Sequence, residues 1–149
     1  MSILLSVNPP YAGMLVDGIK TIEWRKHPLP EGTAFIYETK KGGGSGMVIG
    51  EVIFHRTVRV SSAIYLSPYE IEKGGVSWEG IRKYVGDKSF FENWTCSYVR
   101  YETARPLSDF SKFGFDRSAP LNRPPQSWCY VEDAGLGAKT DEAKQEEEQ

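Results

Sequence analysis

Glycine and proline cut this chain into pieces too short for long helices. His27-Pro28-Leu29-Pro30-Glu31-Gly32, Lys40-Lys41-Gly42-Gly43-Gly44-Ser45-Gly46, Gly74-Gly75 and an irregular stretch from Arg105 to Pro125 interrupt every periodic segment. Between these breaks, Ile3–Val7, Lys20–Lys26, Ala34–Glu38, Met47–Val60, Thr95–Thr103 and Trp128–Val131 are rich in β-branched and aromatic residues and read as strands. Gly50 predicts a kink in the long segment, or its division into two strands. Helical spacing is confined to three short runs. Tyr11, Met14 and Leu15 follow Asn8-Pro9-Pro10, with Asn8 as the N-cap and Gly18 as the stop. Ser67-Pro68 opens a second helix that ends at Gly74-Gly75. Ser77 opens a third, with Trp78, Ile81 and Val85 facing a core and Gly86 ending it. Five to seven strands with two or three short helices exclude a doubly wound parallel sheet. They predict an α+β, mostly β chain, folded as a small, mainly antiparallel barrel.

A chain of 149 residues forms one domain with a core of its own. Residues 134–149 contain no aromatic or β-branched aliphatic residue, and they read as a disordered acidic tail available to a protein partner. That tail holds Lys139 and Lys144 against Asp141, Glu142, Glu146, Glu147 and Glu148, a net of −3 out of −2 for the whole, which leaves +1 on residues 1–133. A near-neutral body is compatible with a polyanionic ligand. No apolar run approaches the ~18 residues of a membrane span. The first residues lack the basic start of a signal peptide, so the expected location is cytoplasmic. Cys96 and Cys129 make no ligand pattern with His27 and His55. No metal site and no cofactor are expected, and the two thiols are expected reduced, although a disulfide between them is geometrically open.

The chemistry-bearing stretch is Gly18-Ile19-Lys20-Thr21-Ile22-Glu23-Trp24-Arg25-Lys26. Period two places Thr21, Glu23 and Arg25 on one strand face, with Ile22 and Trp24 on the other. Lys20 sits at the turn before the strand. One reading of these charges is a surface ion pair of little energetic weight. The other is a pocket in which Arg25 or Lys20 holds a phosphate or carbonyl oxygen and Glu23 accepts from an amino group. Lys20 beside Glu23 could also act as a general base.

Trp24, Trp78, Trp94, Trp128, Tyr37 and Tyr130 are core residues or base-stacking platforms. Trp128 follows the rigid, polar Pro124-Pro125-Gln126-Ser127 and is the better stacking candidate; Trp24 alternates toward the core. Glu38 and Glu51 lie on strands, Glu51 on an otherwise apolar face. Lys40 and Lys41 precede glycines without the spacing of a phosphate-binding P-loop. Ser127 has no nucleophile context.

The run Leu4-x-Ser6-Val7-x-Pro9-Pro10-Tyr11-Ala12, followed by Gly18-x-Lys20-x-x-Glu23-x-Arg25, resembles the ASCH domain of the PUA-like superfamily. Ile36-Tyr37, Val48-Ile49-Gly50-Glu51 and Pro125-Gln126-Ser127-Trp128 follow in the order expected of that family, so the resemblance spans residues 3–132. It implies a PUA-like β-barrel over residues 1–133, with a cleft lined by the signature. It also implies binding of RNA or of a nucleotide or modified nucleoside. The ligand contacts implied are Lys20, Thr21, Glu23, Arg25, Gln126, Ser127 and Trp128. Some small members are amidohydrolases that deacylate N4-acylated cytidine through a Lys, a Thr and a later Glu. Lys20 matches that Lys, Glu23 stands at the Thr position, and Glu70 and Glu72 lie in the segment of the later Glu. The resemblance therefore leaves a binding module and a hydrolase, amidohydrolase or ribonuclease, both open, with Lys20 and Glu23 as the catalytic candidates.

Overall fold

The computed structural model describes residues 1–114, 119–133 and 135. The predicted acidic tail thus falls almost wholly outside the described residues. Among the described residues seven strands form one sheet: β1 (Ser2–Val7), β2 (Ile22–Arg25), β3 (Gly32–Glu38), β4 (Met47–Val60), β5 (Phe90–Arg105), β6 (Phe110–Lys112) and β7 (Trp128–Asp133). Three α-helices are inserted: α1 (Tyr11–Val16), α2 (Pro68–Gly74) and α3 (Trp78–Val85). The strand order is β2-β5-β4-β3-β1-β7-β6, with β1 and β3 parallel and every other pair antiparallel. The fold is α+β, as the punctuation predicts, but the expected barrel is not closed. β2 is only four residues long and pairs with β5 alone among the described residues.

Apolar clusters form on both faces of the sheet. Ile3, Leu5 and Val7 of β1 pack with Ala34, Ile36, Val52 and Phe54 beneath Ala12, Leu15 and Val16 of α1. Leu4 points the other way, into a cluster with Phe35, Tyr37, Val48, Phe110 and Val131. A third cluster joins Ile22 and Trp24 of β2 to Ala63, Phe90 and the buried face of α3, Ile81 and Val85. β4 and β5 are long enough to serve the first and third of these clusters. The predicted irregularity near Gly50 is present as a shift in strand register between Val48 and Gly50. A Cβ on Gly50 would lie 2.2 Å from the carbonyl oxygen of Val99 and 2.7 Å from Val16, so glycine alone lets β5 and α1 approach there.

α2 has the start its sequence predicts. Ser67 Oγ accepts from the Glu70 amide at 3.2 Å, and Glu70 Oε1 accepts from the Ser67 amide at 3.1 Å, a reciprocal capping box. Gly75, with φ 66°, ends the helix. Three expectations need correction. Asn8 does not cap α1; its Oδ1 accepts from the Thr39 hydroxyl at 2.6 Å and ties β1 to the end of β3. Trp78 is 40% exposed: at the first turn of α3 its indole donates to the Ala63 carbonyl at 3.2 Å beneath the Arg82 guanidinium, while Ile81 and Val85 are buried. The stretch after Arg105 is not wholly irregular, since Phe110–Lys112 pairs with β7. Cys96 and Cys129 are both free thiols.

Candidate ligand cleft

Gly18, at φ 74°, turns the chain out of α1, and Ile19 and Lys20 both donate their amides to the Met14 carbonyl at 3.0 Å. This tight exit places Lys20 just before β2. Its side chain is only 2% exposed. The ammonium donates to the Gly74 carbonyl at the C-terminal end of α2 and lies 3.4 Å from Glu23 Oε1. The faces of Trp24 and Tyr11 approach it at 5.3 and 5.8 Å. Arg25 holds the other oxygen of the same carboxylate: Nη2 and Nε donate to Glu23 Oε2 at 2.7 and 3.0 Å. Arg25 Nη2 also donates to the Ser6 carbonyl at 3.0 Å, and Nη1 reaches Ser127 Oγ at 3.4 Å.

These charges do not form the surface pair that alternation alone would allow. Glu23 is 6% exposed, and β2 is covered on both faces. Burial by itself would raise the Glu23 carboxyl, but Lys20 and Arg25 outweigh it and hold the group below its ordinary range. Burial dominates at Lys20 and pulls its ammonium below the ordinary lysine range, against the pull of Glu23. Asn93 supports the strand from behind. Its Nδ2 donates to the Glu23 carbonyl at 3.0 Å, while Oδ1 accepts from the Leu29 amide at 3.0 Å and the Thr57 hydroxyl at 3.1 Å.

A cleft of about 400 Å³ opens over this triad. β1 and its extension contribute Ser6, Val7 and Asn8; β2 contributes Glu23, Trp24 and Arg25; Tyr11 and Tyr84 stand on α1 and α3. The size suits a small ligand or one nucleotide unit. The triad carries one net positive charge, and Lys20 has two oxygen partners for three N–H groups. The floor thus offers a cationic donor among aromatic rings.

Of the residues read from the sequence, Lys20, Glu23, Arg25 and Gln126 line one concavity. Ser127 touches it through Arg25, and its carbonyl accepts from the Ser6 amide at 2.9 Å. Thr21 does not line it; its amide donates to the Lys73 carbonyl and its carbonyl accepts from the Thr95 amide. Trp128 is also outside the lining and packs edge-on against Tyr130 with ring centroids 5.1 Å apart. Trp24, assigned to the core by alternation, is both core and cleft wall. Glu70 lies behind Trp24 against Glu92, and Glu72 is exposed, so neither lines the cleft. The aromatic walls Tyr11 and Tyr84 and the support from Asn93 were not read from the sequence. Phe90-Phe91-Glu92-Asn93-Trp94 carried a signal, two polar residues inside an aromatic strand segment, but the strand was expected to begin only at Thr95.

No protein-family model matches the chain, and no curated protein matches it in sequence. Solved structures do. A crystal structure of ASCH from Zymomonas mobilis superposes with a TM-score of 0.72 at 21% identity, covering 94% of both chains. Crystal structures of a tyrosine-to-phenylalanine and a serine-to-alanine mutant of that protein give TM-scores of 0.70 and 0.71 at 20% and 19% identity. The chain has the ASCH fold. The expected ASCH fold is therefore met over nearly the whole chain, although its sheet does not close into the expected barrel. Within this ASCH fold the signature stretch forms the end of the sheet, and its charged residues form the floor of the cleft. Among the described residues no group of three His, Cys, Asp or Glu side chains is placed to hold a metal ion. No helix among them is long and apolar enough to cross a membrane.

Proposed function

We propose that this ASCH-fold chain binds RNA or a nucleotide, holding one nucleoside unit in the cleft. The observation that carries this reading is the buried Lys20–Glu23–Arg25 triad beneath Tyr11, Trp24 and Tyr84. Aromatic rings suit the face of a base, and stacking contributes about 1–3 kcal/mol per base. Lys20 supplies a charged donor to a carbonyl or phosphate oxygen. Asn8 and Gln126, both exposed at the rim, supply side-chain amides that can donate or accept. Titrating salt against binding of a single-stranded RNA decamer tests this. Affinity falls as salt rises if phosphates are engaged, and Lys20→Ala weakens binding and flattens the slope. Absence of binding to RNA, nucleotides and nucleosides alike refutes the reading.

A second reading, a hydrolase acting on a modified nucleoside or on RNA, is favoured by one observation: burial lowers the Lys20 ammonium toward the range of a general base. Against it, Glu23 occupies the position of the hydroxyl in the amidohydrolase signature, and it is the single carboxylate among the described lining residues. Incubation with N4-acetylcytidine decides between the readings. Turnover lost in both Lys20→Ala and Glu23→Gln would favour the hydrolase, and no turnover in the wild type would leave the binding module.

A further inference from the structure

Behind the cleft wall, away from the ligand side, lies a pair of carboxyl groups. Trp24 Nε1 donates to Glu92 Oε2 at 3.2 Å, and Glu92 is 3% exposed. The Glu70 carboxyl interacts with it, raising the Glu92 carboxyl while its own is held low. Two interacting carboxyl groups, one of them buried, avoid like-charge repulsion when one holds a proton. Glu70 already accepts from the Ser67 amide and hydroxyl, which favours its charged form, so the proton belongs to Glu92. Glu70 is also the capping residue of α2, the helix whose Gly74 carbonyl receives Lys20. The same helix rests on Trp24 without clearance: a Cβ on Gly74 would come within 2.0 Å of the indole ring. One proton therefore lies between β5 and α2, and these elements hold the cleft wall and the lysine in its floor.

Resting on the binding reading above, we infer that Glu92 is a positioning residue that holds Trp24 and α2 in the ligand-binding arrangement only while it is protonated, so that ligand affinity depends on pH. When Glu92 ionises, two carboxylates face each other across a poorly hydrated contact. Like charges repel there, and α2 moves off Trp24 and Lys20. Burial, with the Glu70 contact second, pushes the Glu92 carboxyl up to about 7, which brings the change near neutrality.

Other charged groups on the packed elements are engaged elsewhere. Arg56 on β4 stacks on Trp94 at 4.7 Å, and Lys73 on α2 lies 5.5 Å from the Tyr69 ring. Arg59 and Glu72 are exposed, and Glu23 and Arg25 on β2 are bound to each other in the cleft. Lys20 is the other group near the wall whose ionisation burial disturbs, so the test must separate it from Glu92.

Glu92→Gln does so. Its amide oxygen accepts from Trp24, its NH₂ donates to Glu70, and it does not titrate. Proton–nitrogen NMR spectra recorded from about pH 5 to about pH 9 report on the Trp24 indole, assigned by Trp24→Phe, and on the Gly74 and Gly75 amides. All three resonances should shift together with a midpoint near 7 in the wild type and stay fixed in Glu92→Gln. Glu70→Gln, a second variant should the first fail to fold, removes the facing charge and should move the midpoint to lower pH. With cytidine as probe, uncharged across this range, wild-type affinity should fall at least about threefold from about pH 6 to about pH 8.5, and that of Glu92→Gln should stay level. A Trp24 resonance that does not titrate overturns the inference. So does a titration that persists in Glu92→Gln, or a midpoint unmoved by Glu70→Gln. If cytidine binds at no pH, the binding reading loses its support, and the NMR titration still decides the role of Glu92.

Discussion

Removing the charge of Glu23 should cost far more stability than removing that of Lys20, although Lys20 is the more deeply buried of the two. In Glu23→Gln, the Lys20 ammonium keeps the Gly74 carbonyl and two aromatic faces but loses its counter-charge. Breaking a buried pair from one side costs about 3–5 kcal/mol. Lysine can limit the loss by giving up its proton, which at about pH 7 costs about 1.36 × (10.4 − 7), or roughly 4.6 kcal/mol, from an ordinary lysine. Burial already lowers the Lys20 ammonium, so the ceiling here is lower, and about 3 kcal/mol is expected. In Lys20→Met, by contrast, Glu23 keeps both hydrogen bonds from Arg25. The thioether fills the aromatic slot at similar volume, at a cost under about 1.5 kcal/mol. The double variant removes the stranded ammonium and should be more stable than Glu23→Gln alone by about 1–2 kcal/mol. Urea unfolding with a common m-value measures all four proteins of the cycle. Additive costs, or a Lys20→Met variant less stable than Glu23→Gln, would refute the argument that the carboxylate exists to compensate the buried Lys20 ammonium and the half-buried Arg25 guanidinium.

Three further outcomes follow from the geometry. Asn93→Ala leaves the buried Leu29 amide without its partner and frees the Glu23 carbonyl, so unfolding free energy should drop by about 2–3 kcal/mol, with weakened ligand binding as β2 loosens. Ser67→Ala removes the reciprocal cap of α2 and should cost about 1 kcal/mol by urea unfolding, with faster hydrogen exchange confined first to α2. Stability should also depend on pH through Glu92. Its folded value, about 7, lies above its ordinary 4.5, so its contribution is complete below about 4.5 and is lost as pH rises to about 7. The depressed Glu70 carboxyl acts in the opposite sense and offsets part of this loss, and Glu92→Gln should abolish the loss in thermal melts.

Local chemistry made much of the fold legible. Ser67-Pro68 and Gly75 mark α2 because capping and left-handed turns are decided by neighbours in the chain. The glycine at position 50 announced a disturbed strand, and the Lys-Glu-Arg spacing announced a charged cluster. What stayed hidden depends on partners far along the chain. Nothing near Lys20 says that a carbonyl 54 residues later receives its ammonium. Alternation assigned Trp24 to the core correctly, but it could not say that the same ring borders open space. Thr21 was placed with Glu23 by period two, yet it precedes the paired part of β2, where backbone contacts to Lys73 and Thr95 rather than alternation decide its setting. Trp128 followed a rigid polar segment, but Tyr130 and the core claimed its ring.

The open seam of the sheet gives the cleft its character. Among the described residues β2 has a strand partner on one side only, and on the other the Arg25 guanidinium reaches across to the Ser6 carbonyl of β1, a strand four places away in the order. Arg25 spans the gap between β2 and the end of β1, and residues from both banks line it. A molecule lodged there would bridge the two banks. On the proposed binding function, occupancy would be a mechanical event as well as a chemical one: a guest touching both banks would stiffen β2, the strand that carries Glu23 and Arg25.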